Sequence, residues 1–534
     1  MPRDNGSARE FVAKAIEGRP ELVVHEADPP STVHPACDLL ATCPTLFERG
    51  VPVAIILPAD GGTPQAVPLT LTNVVMRVHE LAQPVRISAK GVPVPTRFPD
   101  WAARSYLELK GEWGLPPLAG LTGAPLLGSD GSIRAARGYD RETGLWMVSA
   151  PKLDVPSKPT RDQAEASLDI LRRTFCTFPF ADADRRFDKR RGVDVVDLRT
   201  DPGQDESTFL AALLGAACRP SLPFVPGLLL TAPSINGAGT GKGLLTRSIA
   251  AIAYGSMPHA IAQGHDRHEL DKRIVAELIG ASPMLFLDNL NSTTLHSETL
   301  AQAMTERPAR VRILGRSETM PLNAVVFVVV TGNGLLVSED LVRRFIESKL
   351  DAQREDPEGR RFAPGFLDGI RERRAKLLSA VLTIWRWGRQ NVNTITEGKP
   401  LGGFEEWAEW CRDPLLELGC CDPVERMSEM KQIDPRRRMV ADFLRMWYRR
   451  YRESLVKASE LDDVVLDILG PKESRKRQWV TAQIESFVNT RAGGYMLTRE
   501  NREGKGKWAV MRYGVVKLSE EEGEPAKDIS DRNA

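Results

Sequence analysis

Three continuous apolar runs stand in the middle of this chain: "FVPGLLLTAP" (224–233), "SPMLFLDNLNS" (282–292) and "LNAVVFVVVTGNG" (322–334). Runs of that length, closed by Pro, Gly or Asn, predict buried strands. After the first run, "GLLTRSIAAIAYG" places Leu244, Leu245, Ser248, Ile249 and Ile252 at helical spacing, with Gly255 as the stop. Nearer the N-terminus, "VPVAIILPADGG" predicts a strand and "LTNVVMRVHELA" a helix. Residues 126–148 predict two hairpins, turning at Asp130-Gly131 and at Glu142-Thr143-Gly144. Before the third run, "PARVRILGRSETMPLNAV" (308–325) reads as a hairpin. Arg310, Arg312, Ile313 and Leu314 lie in its first strand, and the turn falls at Gly315. Past "NTITEGKPLGG" (393–403) the pattern becomes helical. "MVADFLRMWYRRYR", "SELDDVVLDIL" and "ESRKRQWVTAQIESFVNT" predict three helices, and "GYMLTRENREGKGKWAVMRYG" predicts strand, turn, strand.

The segment between the first strand and its helix carries the chemistry. "INGAGTGKGLL" approaches the phosphate loop GxxxxGK[ST] with two departures. Asn236 stands where the first glycine is usual, and Gly243 stands where a hydroxyl usually meets Mg²⁺. Strand, glycine loop and helix is the context such a loop needs. Glycines let backbone N–H groups approach phosphate, the helix N-terminus adds a positive dipole, and Lys242 neutralises the β- and γ-phosphates. The backbone from Asn236 through Gly237, Ala238, Gly239, Thr240, Gly241, Lys242, Gly243 and Leu244 is therefore the candidate ATP cradle. The second run ends in Asp288, 46 residues after Lys242, placed to hold Mg²⁺ through water. The third ends in Thr331-Gly332-Asn333, where an amide can orient water or sense the γ-phosphate. "EDLVRRFIESKLD" then sets adjacent Arg343 and Arg344 on a predicted helix, suited to an arginine finger acting on a neighbouring subunit.

Bulk properties bound these readings. A chain of 534 residues suggests three or four domains. Its 42% hydrophobic and 27% charged content fits a globular protein, and its net charge of +1 leaves the partner to be read from local charge. No apolar run approaches the ~18 residues of a membrane helix. "MPRDNGSAREF" lacks the apolar core of a secretory signal. Seven cysteines, mostly scattered, do not form a disulfide framework, and a reducing cytoplasm is expected. Cys37, Cys43 and His34 lack the CxxC pairing of a zinc site, so buried thiols are expected. Asp130 and Asp140 read as turn residues rather than metal ligands.

The loop at Gly237–Gly243, the strand ending in Asp288-Asn289, "VVVTGNG" and "LVRRF", in this order, resemble the AAA+ ATPases. Within them they are similar to the superfamily-three-like helicases and the ATPase halves of mobile-element (plasmid, phage or integrated-element) primase-helicases. The resemblance covers about 193–389. It implies an α/β P-loop core at 191–395, cofactors ATP and Mg²⁺, and a homo-oligomeric ring, usually of six subunits, that moves along single-stranded or forked DNA. Catalytic roles then fall to Lys242, Asp288, Asn289, Asn333, Arg343 and Arg344, with the metal at Asp288. One departure stands out, because many AAA+ proteins carry Glu after the Asp as the base and this chain has Asn289. Asp266, Glu269 and Glu277 are alternative acids, although pairing with Lys272 and Arg273 explains them more simply. Related helicases insert a hairpin before the sensor strand, which implies DNA contact by Arg310, Arg312 and Arg316.

Around this core, residues 1–190 are expected to form an α+β domain of unassigned role. Residues 396–518 are expected to form a helical and winged-helix domain, and 519–534, of net charge −4, a disordered acidic tail. Residues 431–512 hold 19 Lys and Arg against 11 Asp and Glu, with aromatics interleaved. Helices followed by a basic hairpin look like a winged helix. Arg475, Lys476 and Arg477 would open its recognition helix, and Lys505 and Lys507 would lie on the wing. No primase motif is visible, so a separate primase or replication protein is an expected partner. The function so implied is a DNA-dependent ATPase, a ring helicase or translocase in replication of a mobile element. The alternatives are a non-translocating AAA+ initiator or loader, and a small-molecule P-loop kinase.

Overall fold

The computed structural model describes residues 18–58, 64–148, 150–235, 237–262, 267–291, 294–312, 319–355, 365–427, 435–470, 477–503 and 510–518. Asn236, Asp266, Arg316, Arg475, Lys476, Lys505, Lys507 and the tail lie outside the described residues, as does the side chain of Arg477. The fold is mixed α/β, with one parallel sheet and many helices. Its contacts divide into two units. The first is 1–335 with 344–425, and the second is 336–343 with 426–534. The segment 396–425, grouped by sequence with the C-terminal domain, thus belongs to the first unit. So does the region up to 190.

In the first unit, helix α1 (Gln204–Cys218) leads into strand β1 (Gly227–Ala232) and helix α2 (Lys242–Ala253). There follow β2 (Ala260–Ala262), α3 (Arg267–Ile279), β3 (Met284–Asp288) and α4 (Glu298–Thr305). Next come the hairpin strands β4 (Ala309–Arg312) and β5 (Thr319–Leu322), then β6 (Phe327–Asn333) and β7 (Phe345–Lys349). Five of these strands form a wholly parallel sheet in the order β2-β3-β6-β1-β7. All of β1 and all of β6 up to Gly332 are buried. That is why these stretches read as continuous apolar runs, since a parallel sheet is covered on both faces. The chain leaves β1 for the far edge, works back to β6 and then crosses to β7. In such sheets, ligands bind outside the carboxyl ends of the strands near the point where the order reverses.

Residues 343 and 344 correct one expectation. The predicted helix ends at Val342, with Arg343 as its cap, and Phe345 already opens β7. Phe345 and Ile346 are fully buried where β7 pairs with β1, and this burial outweighs the helical propensity of the segment.

The N-terminal part of the first unit packs three helices, Pro29–Ala41, Leu71–Leu81 and Asp100–Glu108, around one apolar cluster. Cys37 and Cys43 are buried in that cluster. Both hairpins at 126–148 form. The Asp130 carboxylate accepts from the Ser132 amide at 2.9 Å, and Asp140 accepts from the Thr143 amide and hydroxyl at 3.1 and 2.6 Å. Both aspartates therefore serve turns. Arg49 is wholly buried, and burial lowers its pKa to about 9. It donates to the carbonyls of Leu278, Ile279, Leu118, Ala119 and Asn323. One side chain thus ties the 46–56 hairpin to the end of α3 and the approach to β6.

The second unit contains α5 (Pro435–Tyr451), α6 (Arg477–Phe487) and the strands β8 (Arg491–Ala492), β9 (Tyr495–Glu503) and β10 (Val510–Lys517). A one-turn helix, Asp463–Leu466, stands between α5 and α6. Val440, Phe443, Leu444 and Trp447, on one stripe of α5, pack with Ile484 and Phe487 of α6 and with Leu497 and Val515 of the sheet. Gly493 and Gly494 both have positive φ, 59° and 83°, as a two-residue turn between β8 and β9 requires. Three helices followed by an antiparallel hairpin is the order read from the sequence.

Candidate active site

The carboxyl ends of β1, β6 and β3 lie side by side and bring Lys242, Asn333 and Asp288 together. β1 stops at Pro233 and α2 begins at Lys242. The intervening loop depends on its glycines for two different reasons. Gly239 and Gly241 take φ of 72° and 97°, which a side chain disfavours. Gly237 is needed for space, because a Cβ there would lie 2.4 Å from both the Asn333 Oδ1 and the Pro233 carbonyl oxygen. No side chain caps α2, so its first N–H groups face the loop and can receive an anion.

Lys242 Nζ donates to the Gly237 carbonyl at 2.7 Å, the Thr240 hydroxyl at 3.2 Å and Asn333 Oδ1 at 2.6 Å. Burial pulls its pKa down to about 8, against the opposing pull of nearby Asp288. Asp288 Oδ1 accepts from the Thr331 hydroxyl at 2.6 Å, and that oxygen accepts from the Asn289 amide at 3.0 Å. Asn289 Oδ1 accepts from Asn291 Nδ2 at 2.7 Å, and Asn291 Oδ1 accepts from the Asn333 amide at 2.8 Å. A continuous series of hydrogen bonds therefore runs from Asp288 through Thr331, Asn289, Asn291 and Asn333 to Lys242. Thr331 and Asn291 were not singled out by sequence. The signal was present in "LDNLN" and "TGN", two polar clusters closing apolar runs.

Asn289 has φ of 63°, a left-handed conformation that Asn tolerates far better than Glu. A Glu at position 289 would be strained in this conformation. Of the alternative acids, Glu269 pairs with Lys272 at 2.6 Å on the surface, and Glu277 accepts the Ser282 hydroxyl. Among the described residues Arg273 pairs with neither Glu269 nor Glu277 and donates to the Ala262 carbonyl at 2.9 Å. Sequence reading passed over Glu347 of β7, a buried carboxylate that accepts from Thr231 Oγ1 of β1 at 2.7 Å.

Among the described residues, no group of three or more His, Cys, Asp or Glu could hold a metal ion. The nearby hydroxyls are also engaged. Thr240 donates to the Gly237 carbonyl, Thr246 to the Lys242 carbonyl and Thr331 to Asp288. A cation at the carboxyl ends of these strands could reach the Asp288 carboxylate, with the rest of its coordination left to water or a ligand.

Arg343 is exposed, whereas Arg344 is half-buried and its carbonyl accepts from the Gly227 amide at 2.8 Å. In the hairpin, Ala309 and Val311 turn inward while Arg310 and Arg312 face solvent.

No protein-family model and no curated protein matches the chain. Among solved structures, the apo A form of the C-terminal region of NrS-1 is similar over 70% of this chain and 80% of that one. The TM-score is 0.34 and the identity 12%. No described helix is long and apolar enough to cross a membrane.

Proposed function

We propose that this chain is an ATP hydrolase coupled to DNA, an AAA+ P-loop motor working as a ring helicase or translocase in the replication of a mobile element. The hydrogen-bonded series from Asp288 to Lys242, at the carboxyl ends of three adjacent parallel strands and beside a glycine loop, carries this reading. The loop amides from Gly237 to Leu244 and the Lys242 ammonium bind the phosphates. Lys242 leaves Asn333 Oδ1 to reach them, which frees Asn333 to orient the attacking water or report the γ-phosphate. Thr331 holds the Asp288 carboxylate in place. A Mg²⁺ ion near Asp288 would neutralise charge on the β- and γ-oxygens. Arg343, exposed, is the better placed of the two arginines to act on the ATP of a neighbouring subunit.

Arg310 and Arg312, on the solvent face of the hairpin, and Arg316 beyond them are assigned to DNA phosphates. In the second unit, three helices and a hairpin support a winged helix, and the sequence positions of Arg475, Lys476, Arg477, Lys505 and Lys507 assign them to DNA contact.

The test is phosphate release from ATP with and without single-stranded DNA, alongside native mass and strand unwinding. DNA-stimulated turnover by an oligomer, lost in folded Lys242→Ala, supports the proposal. Turnover and DNA binding without unwinding would favour an initiator or loader. Phosphate passing to a small acceptor instead of water would favour a kinase.

A further inference from the structure

In a phosphate loop, the residue after the lysine usually supplies a hydroxyl to Mg²⁺. Here that residue is Gly243, and the space its side chain would fill is occupied. An ideal Cβ on Gly243 would lie 2.8 Å from Nη1 of Arg247 and 4.0 Å from Cζ of Phe286. Arg247 stands one turn further along α2. Its guanidinium folds back to donate to the Gly243 carbonyl at 3.2 Å. Its Cζ lies 5.5 Å from the centroid of the Phe286 ring, on the strand that ends in Asp288. Among the described residues no carboxylate pairs with it. Among the described residues these contacts engage one of its five N–H groups and hold its plane, leaving the other donors available.

We propose that Arg247 binds the nucleotide's phosphates at the point where a loop hydroxyl would otherwise recruit Mg²⁺, so that this site takes up nucleotide with or without a divalent ion. This rests on the nucleotide-site reading above and deepens it. The loop has lost the hydroxyl that would bring metal to that point, and a permanent cation stands there instead. A guanidinium cannot lose its proton and matches phosphate oxygens with two parallel donors. Two positive groups at one point would repel, so the guanidinium also disfavours metal bound directly to the loop. Mg²⁺ at Asp288 remains free to serve hydrolysis. The bland alternative is that Arg247 only fills the space left by glycine and covers Phe286.

The test uses the full chain and a fluorescent ADP analogue, titrated in saturating Mg²⁺ and in excess EDTA. The wild-type affinities are expected to agree within about threefold. Arg247→Ala and the better space-filling Arg247→Gln should each lose roughly tenfold or more in EDTA, and less in Mg²⁺. Arg247→Lys should recover part of the loss. Adding Gly243→Ser to Arg247→Ala should restore tight binding in Mg²⁺ alone. Circular dichroism and melting curves check that each variant folds. A wild-type affinity that collapses in EDTA overturns the proposal while leaving the nucleotide site standing. So do Arg247 variants that weaken equally in both conditions. No wild-type binding in either condition overturns the nucleotide site itself, and this inference with it.

Discussion

Lys242 makes the site's pH dependence a direct test of its geometry. Burial holds its ammonium at about 8, below the 10.5 of a free lysine. A bound polyphosphate supplies negative charge at contact distance and must raise that value. The sign of the effect follows. Below about pH 8 the lysine is charged in both free and bound protein, so no proton moves and affinity is flat. Above it the free protein carries a neutral lysine, and binding must take up a proton. Affinity then falls about tenfold per pH unit, or about 1.4 kcal/mol, until the bound-state pKa is reached. Phosphate's own last ionisation, near 6, is complete before this window opens. The assay is isothermal calorimetry with ADP at about pH 7, 8 and 9, in two buffers of different ionisation enthalpy. About one proton should be taken up at the highest pH and almost none at the lowest. Flat affinity across the whole range, with no proton uptake, would refute a buried Lys242 at the phosphates.

Thr331→Val should strand the Asn289 amide and release Asp288, costing about 1–3 kcal/mol and slowing turnover; melting curves and phosphate release measure both. Gly237→Ala should force a Cβ to within 2.4 Å of Asn333 Oδ1. The crowding should cost about 1–3 kcal/mol and lower nucleotide affinity in a folded protein. Mixing Arg343→Ala subunits with Lys242→Ala subunits should recover turnover that neither has alone, since a finger contributes about 10³ or more; demonstrably mixed but inactive rings would exclude Arg343. Replacing Arg475, Lys476 and Arg477 together should flatten the log–log salt dependence of DNA binding by up to about 3 units, and an unchanged slope would remove them from the interface.

Much of the core was legible because a parallel sheet covered on both faces needs continuous apolar strands, and such runs announce themselves. The polar residues that close them, Asp288 and Asn333, were legible for the same reason, since a buried apolar run gives way to polar residues where the chain leaves the sheet, whereas Thr331 is itself buried and is explained only by its bond to Asp288. The paired strands at 309–312 and 319–322 and the helix-then-hairpin order of the second unit came from periodicity. Local signals misplaced the stretch around Arg343 and Arg344. "EDLVRRF" has helical composition, but Phe345 and Ile346 gain more by pairing beside β1.

By itself, the sequence determined that a glycine loop joins a buried strand to a helix, that an acid and an amide end two further buried strands, and that a basic, aromatic-rich segment follows. These are properties of neighbours in the chain. Only the tertiary structure decided the strand order, and with it that Asn333 stands between Lys242 and Asp288. It decided that Thr331 and Asn291 link them, that Asn289 sits where the backbone turns left-handed, and that Arg247 fills the place Gly243 leaves open. Such facts depend on which strands lie side by side and how closely they approach. Contacts between residues some 90 positions apart, as between Lys242 and Asn333, exist only once the sheet has formed.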